Sequence, residues 1–343
     1  METTLYKFTT QSNKIASFDL DSTLIKTKSG RIFPINSLDY EYSFNNVESK
    51  LKELINDGYK IVIFTNQLGI EKGKTKLKDV TNKIESLFPF ADYFISVKDD
   101  IYRKPMMGMY KQFITLNGDC DMFYVGDAAG RVGDHSNSDI NFAYNSGIKF
   151  YTETQFFQGK NEDISVIIPK SHSKTNSITD LKKYYTNVVV IMQGLPACGK
   201  TTFIKDYLKY HNITDYLYLS NDTHTKSKLI KAYKKGLEEE KLIFIDNLNA
   251  TKKNREDFIK LLPDYYNSIG IHIITDIDIC LSLNKQRYYI SNTDPEYKDE
   301  MRKKIPKVVF NTFNKRYEPM TVDEGFYKVY DYLPEIKLKY CFN

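Results

Sequence analysis

The chain has 343 residues, of which 41% are hydrophobic and 27% charged, with a net charge of +5. That length gives a prior of about two domains, and the composition fits a soluble globular enzyme. No apolar run approaches the ~18 residues of a membrane-spanning helix, and the start of the chain lacks a signal-like apolar core, so no membrane role is expected and an intracellular, reducing setting is. The four cysteines, Cys120, Cys198, Cys280 and Cys341, are scattered, which excludes a zinc spacing and a disulfide framework. Charge is uneven: residues 1–158 carry 19 Lys and Arg against 20 Asp and Glu, leaving 30 against 24 for residues 159–343. The basic balance of the second half favours an anionic polymer as partner.

Apolar runs alternate with helical patterns, as in α/β folds. Ile15–Phe18 reads as a strand, Val47–Asn56 as a helix and Lys60–Phe64 as a strand. A helix near Lys78–Leu87, a strand near Tyr93–Val97, a helix near Met109–Leu116 and a strand at Met122–Val125 follow. The polar run 165–180 has no period, and 159–183 is expected to be a linker or domain edge. The pattern restarts with a strand at Val188–Met192 and a helix over Thr201–Tyr210. Further strands are expected near Tyr216–Leu219, Leu242–Ile245 and Ile271–Ile274. The expectation is two domains, 1–158 and 184–343, each a parallel sheet flanked by helices.

Each half holds its own phosphate chemistry. Asp19 leaves the first strand and Asp21 follows two residues later. A carboxylate at a strand's carboxyl edge can attack phosphorus if a divalent metal and fixed donors relieve the charge repulsion, and Asp21 can then act as acid and base. A metal-binding or turn pair is the alternative. Three later strand ends raise the odds. Ile61–Phe64 leads to Thr65, Asn66 and Gln67, with Thr65 and Asn66 as phosphate-side donors. Lys104-Pro105 supplies a cation. Tyr124-Val125 leads to Gly126-Asp127, a carboxylate suited to Mg²⁺. Asp134 and Asp139 are further candidates as supporting carboxylates.

In the second half, Gly194-x4-Gly199-Lys200-Thr201-Thr202 sits between a strand and a helix, the context a phosphate-binding loop requires. Its backbone amides and helix N-terminus cradle phosphate, Lys200 reaches the β and γ phosphates, and Thr201 can ligate Mg²⁺. Asp222, after the strand near 216–219, is the candidate base for an accepting hydroxyl; a helix N-cap is its alternative. Asp246, at the end of Leu242–Ile245, is placed to support Mg²⁺ or the loop. Arg287 is the candidate cation for the transferring phosphoryl group, with a plain surface arginine as the alternative.

The first constellation resembles the haloacid dehalogenase (HAD) phosphatase superfamily. Phe18-Asp19-Leu20-Asp21-Ser22-Thr23, Ser29-Gly30-Arg31, Gly58 through Thr65-Asn66-Gln67, Arg103-Lys104-Pro105 and Val125-Gly126-Asp127-Ala128-Ala129-Gly130-Arg131 are similar to the phosphatase domain of polynucleotide kinase 3′-phosphatases. Ile245-Asp246-Asn247-Leu248-Asn249, Asn284-x2-Arg287-Tyr288 and Tyr317 through Phe326 resemble the kinase domain of the same bifunctional family. The resemblance implies a HAD-like Rossmannoid domain followed by a P-loop, adenylate-kinase-like domain. It implies Asp19 as nucleophile, Asp21 as acid/base, Thr65 and Lys104 on the phosphate, and Asp19, Asp127 and the Asp21 carbonyl on Mg²⁺, with Arg31 as a supporting residue. In the kinase half it implies Asp222 as general base, Lys200 and Arg287 on the phosphates, and ATP as donor.

The implied activity removes 3′-phosphates and phosphorylates 5′-hydroxyls of nucleic-acid ends, DNA favoured over RNA, in functional cooperation with a DNA ligase. A monomer is expected, nuclear in a eukaryote and cytoplasmic in a virus or prokaryote. Asn221 stands where metazoan members carry arginine. Asp19 lies so near the start that no forkhead-associated domain, and so no phosphopeptide-scaffold binding through one, is expected. The rival readings are a small-molecule phosphatase fused to a metabolite kinase, an RNA-end repair enzyme, and a non-catalytic scaffold module.

Overall fold

Two residue periods, one for strands and one for helices, alternate along the chain and generate the architecture. The computed structural model describes all residues except 1–3, 32, 33, 37, 167, 169–183, 185, 297–302, 337 and 343. The chain divides into two units: residues 1–168, 288–301 and 340–343 form unit 1, and residues 169–287 and 302–339 form unit 2. The contiguous second domain expected from the sequence is thus interrupted. Tyr289 and Phe342 bury with Met106 and Met107, which draws 288–301 and 340–343 into unit 1. Most of the expected linker lies outside the described residues.

Unit 1 is built on a six-stranded sheet. Its strands are β1 (Thr4–Lys7), β2 (Lys14–Phe18), β5 (Lys60–Asn66), β6 (Asp92–Ser96), β7 (Asp121–Gly126) and β8 (Lys149–Thr152), in the order β1-β6-β5-β2-β7-β8. All pairs are parallel except the edge strand β1, which runs antiparallel to β6. A two-stranded ribbon, β3 (Ile25–Lys26) and β4 (Glu41–Tyr42), follows β2. The helices are α1 (Val47–Asn56), α2 (Leu77–Leu87), α3 (Gly108–Asn117), α4 (Ser138–Ser146) and α5 (Glu153–Gln158).

Alternation along the strands divides the core. On β5, Ile61 and Ile63 enter one apolar cluster with Phe18, Leu51 and Ile84, while Val62 and Phe64 enter another with Met109, Phe113 and Phe142. A strand with apolar residues on both sides is buried on both faces, as a doubly wound sheet demands. From β2 the chain runs to β5 and β6 on one side and then to β7 and β8 on the other. The crevice at such a reversal lies outside the strands' carboxyl ends.

Unit 2 repeats the principle with five parallel strands. They are β9 (Val188–Gln193), β10 (Leu217–Leu219), β11 (Leu242–Ile245), β12 (Asn267–Ile273) and β13 (Lys328–Tyr332), in the order β10-β11-β9-β12-β13. Its helices are α6 (Lys200–Tyr210), α7 (Lys226–Glu238), α8 (Lys252–Ile259) and α10 (Lys307–Arg316), while α9 (Ile277–Thr293) runs through the division at residue 287. Val190, Met192 and Phe244 pack on one face of this sheet, and Val189, Ile191 and Ile245 on the other. Among the described residues, no helix is long and apolar enough to cross a membrane.

One polar group sits deep in unit 2. Arg255, fully buried on α8, pairs through Nε and a terminal nitrogen with both oxygens of Glu324, each at 2.7 Å. Its other nitrogen donates to the carbonyls of Asn249 (2.9 Å) and Glu318 (3.1 Å). Removing one partner of such a pair strands a buried charge. Glu324→Ala is therefore expected to cost about 3–5 kcal/mol in the unfolding of unit 2. Urea titration checks this; a loss below ~1 kcal/mol would show that the carbonyls alone satisfy the guanidinium.

Candidate active sites

In unit 1, β2 ends by delivering Asp19 to the crevice. The Asp19 amide extends the ladder by donating to the Val125 carbonyl of β7 (2.8 Å), so the position of this candidate nucleophile is fixed by backbone pairing. The chain then turns at Ser22, whose φ of 68° is in the left-handed region. Asp21 points away from Asp19's partners: its carboxylate accepts from Gln67 Nε2 (2.6 Å) and lies 3.4 Å from Lys83 Nζ on α2. Gln67 also donates to the buried Thr65 hydroxyl (3.0 Å), which places the acid/base candidate beside the phosphate-side candidate.

Lys104 is the hub. Its buried ammonium donates to Asp19 Oδ1 (2.5 Å), Asp139 Oδ1 (2.7 Å) and the Tyr124 hydroxyl (2.7 Å), using all three protons. The Tyr124 hydroxyl in turn donates a hydrogen bond to Asp139 Oδ1 (3.0 Å). Burial alone would lower the pKa of the ammonium, but the charges of Asp139 and Asp19 outweigh it and hold Lys104 above its ordinary value. Burial pushes Asp19 well up; Lys104 opposes this, while Asp139 and Asp127 add to it. Asp127 is raised from an ordinary 3.8 to about 7, by burial first and by the charge of Asp139 second.

Carboxylate oxygens of Asp19, Asp127 and Asp139 all lie within 4.8 Å of one another. Three gathered carboxylates, two of them strained toward the neutral form, are a donor set that fits a hard divalent cation. Gly126 makes the gathering possible. A Cβ there would lie 2.6 Å from the Asp139 side chain, so only glycine lets α4 approach β7 this closely.

Several expected residues have other employment. Asn66, expected at the phosphate, commits its carboxamide to the backbone of Lys104, accepting from its amide (2.9 Å) and donating to its carbonyl (3.1 Å). Asp134 is outside the carboxylate cluster and staples the loop after Asp127, accepting from the amides of Ala129 and Arg131 and from Arg131 Nε, each at 3.0 Å. Arg131 in turn donates to the Asp127 carbonyl (2.9 Å) and to Glu153 (3.0 Å). Arg31 is exposed, with its carbonyl accepting from Thr27.

In unit 2 the loop from Gly194 to Gly199 joins β9 to α6. Gly194 has φ 154°, and a Cβ there would meet Cys198 Sγ at 2.6 Å and the Ile273 carbonyl at 2.9 Å. Burial raises the Cys198 thiol, although Lys200 opposes it, so this cysteine is a filler inside the loop and not a nucleophile. The Lys200 ammonium lies inside the loop, donating to the carbonyls of Gly194 (2.9 Å) and Leu195 (2.7 Å). Thr201 Oγ1 donates to Asp246 Oδ2 (2.6 Å), which also accepts from the Tyr218 hydroxyl (2.7 Å). The hydroxyl and carboxylate of these two site residues thus sit together, a pair suited to a magnesium ion. Thr202 continues α6 and is exposed.

Asp222 is exposed on the turn after β10, and that turn is tied to the segment following β11 by the Asn221 amide donating to Asn247 Oδ1 (2.8 Å). Arg287 lies half-buried on α9, at the end of unit 2's share of that helix. Tyr124, Gln67, Lys83, Tyr218 and Asn247 were not singled out in the sequence. Gln67 and Tyr218 carried a signal, because each stands two residues or one strand step from a candidate. Lys83 and Tyr124 carried none, since a lone lysine on a helix or tyrosine in an apolar strand names no partner.

With this geometry in place, comparison with known proteins is informative. The family described as polynucleotide kinase 3 phosphatase matches residues 14–157, the part of unit 1 that holds every residue of the Lys104 network. The Schizosaccharomyces pombe protein named bifunctional polynucleotide phosphatase/kinase is 35% identical over 93% of this chain and 79% of its own length. The polynucleotide 3′-phosphatase of Arabidopsis thaliana is 38% identical over 43% of this chain and 24% of its own, and that of Saccharomyces cerevisiae 31% over 42% and 87%. The likeness to the first of these runs through both units and both sites, and the chain belongs to the bifunctional polynucleotide phosphatase/kinase family.

Proposed function

We propose that this protein heals broken nucleic-acid ends, removing a 3′-phosphate in unit 1 and phosphorylating a 5′-hydroxyl in unit 2, with DNA as the favoured substrate. The products, 3′-hydroxyl and 5′-phosphate ends, are what a ligase joins. The observation that carries this reading is the Lys104 ammonium bonded to Asp19 and Asp139 at the sheet's carboxyl edge. It is a nucleophile site built beside a metal-ready carboxylate cluster, in a chain that also holds a phosphate loop.

In unit 1, Asp19 attacks phosphorus and the bond to the 3′-oxygen breaks. Asp21 gives that oxygen its proton, and the phosphoryl group stays on Asp19 as an acyl phosphate. Asp21 then takes a proton from a water that attacks the same phosphorus, which releases inorganic phosphate and restores Asp19. Gln67 and Lys83 hold Asp21 for both transfers, while Lys104 keeps Asp19 aimed and offsets charge. Asp19, Asp127 and the Asp21 carbonyl, with Asp139 beside them, would hold a Mg²⁺, which would supply positive charge between an anionic nucleophile and an anionic phosphate.

In unit 2, Asp222 accepts the proton of the 5′-hydroxyl, whose oxygen attacks the γ-phosphorus of ATP as ADP leaves. Lys200 and Arg287 balance the charge on the transferring group, and Thr201 with Asp246 would hold a Mg²⁺ that offsets phosphate charge. A polymer substrate, in preference to a small metabolite, is supported by the excess of basic residues beyond residue 158.

An oligonucleotide bearing a 5′-hydroxyl and a 3′-phosphate tests the whole reading in one tube. Both ends are expected to be converted with Mg²⁺ and ATP, and no change at either end would sink it. Asp19→Ala is expected to lower 3′-dephosphorylation more than about a thousandfold and spare the kinase. Asp222→Ala should lower 5′-phosphorylation by about 10²–10⁴ and spare the phosphatase. A single substitution that silenced both would contradict two separate sites.

Gly126→Ala drives a methyl into Asp139 and should cost the phosphatase about a hundredfold, because an ångström of misplacement has that effect. A wild-type phosphatase rate in that variant would show that Asp139 is free to retreat.

Acidity gives another handle. Asp19 and Asp127 hold protons more tightly folded than unfolded, and for Asp127, raised from 3.8 to about 7, the folded state binds the extra proton between those values. Metal-free protein should therefore lose stability as pH rises through that window, and Mg²⁺ should restore it most at the upper end. Thermal melts with Mg²⁺ or with chelator check this; equal Mg²⁺ stabilisation at pH 5 and pH 8 would refute it.

A further inference from the structure

Three features of unit 1 take no part in the chemistry above: the side chain of Asn145, the adjacent Met106 and Met107, and residues 340–342. They meet at one place. Asn145, near the end of α4, donates from Nδ2 to the Pro105 carbonyl (3.0 Å) and the Cys341 carbonyl (2.8 Å). Its Oδ1 accepts from the Cys341 amide (2.7 Å). One carboxamide therefore binds the peptide after Lys104 to a segment more than 190 residues away in sequence. Next to this clamp, Met106, Met107, Tyr289 and Phe342 bury one another, with the Tyr289 and Phe342 rings 5.5 Å apart.

Lys104 thus stands between two carboxamide clamps. Asn66 holds its own amide and carbonyl, and Asn145 holds the next carbonyl. The helix that carries Asn145 also carries Asp139, which takes the ammonium at the other end of the same side chain. Residues 340–342 close the arrangement, because they occupy the remaining bonds of Asn145 and cover the two methionines that continue the Lys104-Pro105 loop.

We propose that Asn145 and residues 340–342 are positioning elements of the phosphatase site, which fix the Lys104-Pro105 loop so that the ammonium meets Asp19. The inference rests on the phosphatase reading of unit 1. It separates this chain's phosphatase from a self-sufficient one, because part of the support for Lys104 comes from residues that follow the second sheet in sequence.

The test uses the full chain, a variant lacking residues 340–343, Asn145→Ala, Phe342→Ala and the conservative Phe342→Leu. Each is assayed on a 3′-phosphorylated oligonucleotide and on p-nitrophenyl phosphate, with the kinase rate of the same preparation as an internal standard. In the first three variants kcat for both phosphatase substrates is expected to fall about tenfold. KM should stay within about threefold, since the remaining phosphate contacts are untouched, and the kinase rate should be unchanged. Phe342→Leu, which refills the apolar site and leaves the Cys341 backbone in place, should restore the rate. Variants within twofold of wild-type kcat overturn the inference. So does a fall in rate that matches a loss of folded unit 1 in melts at the assay temperature, since that outcome assigns a purely structural role. Wild-type protein inert toward both substrates would instead sink the phosphatase reading, and this inference with it.

Discussion

A lysine ammonium taken out of water is costly, and unit 1 is organised around making that cost bearable. Lys104 is nearly fully buried, as is Asp139, and Asp19 is almost so. Such a group survives only when every proton is donated and opposite charge is close, because an unpaired buried ion costs several kcal/mol. The triad of Asp19, Asp139 and Tyr124 meets both conditions. Everything that brings these three groups together therefore has an energetic reason. The ladder bond from Asp19 to Val125, the glycine that admits α4 to β7 and the two carboxamides along the Lys104 loop each serve that one contact.

The carboxylates outnumber the ammonium. Asp19, Asp127 and Asp139 bring three carboxyl groups to one ammonium, and burial together with mutual repulsion raises Asp19 and Asp127. The protein's own charges leave a deficit that a divalent ion is suited to fill. Unit 2 handles charge differently. Its loop answers the Lys200 ammonium with backbone carbonyls and brings carboxylate to hydroxyl at Asp246 and Thr201. One site gathers carboxylates around a buried ammonium; the other folds a backbone loop around one.

Much of this was legible in the sequence because strand ends announce themselves. Ile15–Phe18, Lys60–Phe64, Met122–Val125 and Val188–Met192 are apolar on both faces, and the polar residues that end them fall on one edge of a parallel sheet. The antiparallel edge strand at Thr4–Lys7 and the strand at Lys328–Tyr332 were not, since neither is a continuous apolar run and both owe their place to pairing with a neighbour. Asn66 stands out in the sequence as a phosphate-side candidate, but its grip on the Lys104 backbone does not, because nothing local tells a carboxamide that points at phosphate from one that holds a backbone. The return of 288–301 and 340–343 to unit 1 was hidden for the same reason. Contacts between residues far apart in sequence leave no periodic trace, and Asn145 reads as an ordinary helix-end asparagine until Cys341 is beside it.

The division of β5 between two cores has a consequence for error. Its neighbouring residues alternate between apolar clusters on opposite faces, and the same strand ends in Thr65 and Asn66. A slip of one residue would exchange the faces, push Ile63 toward the partners of Phe64, and carry Thr65 to the wrong side of the crevice. Hydrophobic burial on both faces and the placement of Thr65 thus depend on the same register, and a slip that displaced one would disrupt the other. Damage to this core should therefore remove molecules from the active population and leave those that remain at full speed: a fidelity built into the sheet, and one that makes specific activity a count of correctly folded chains.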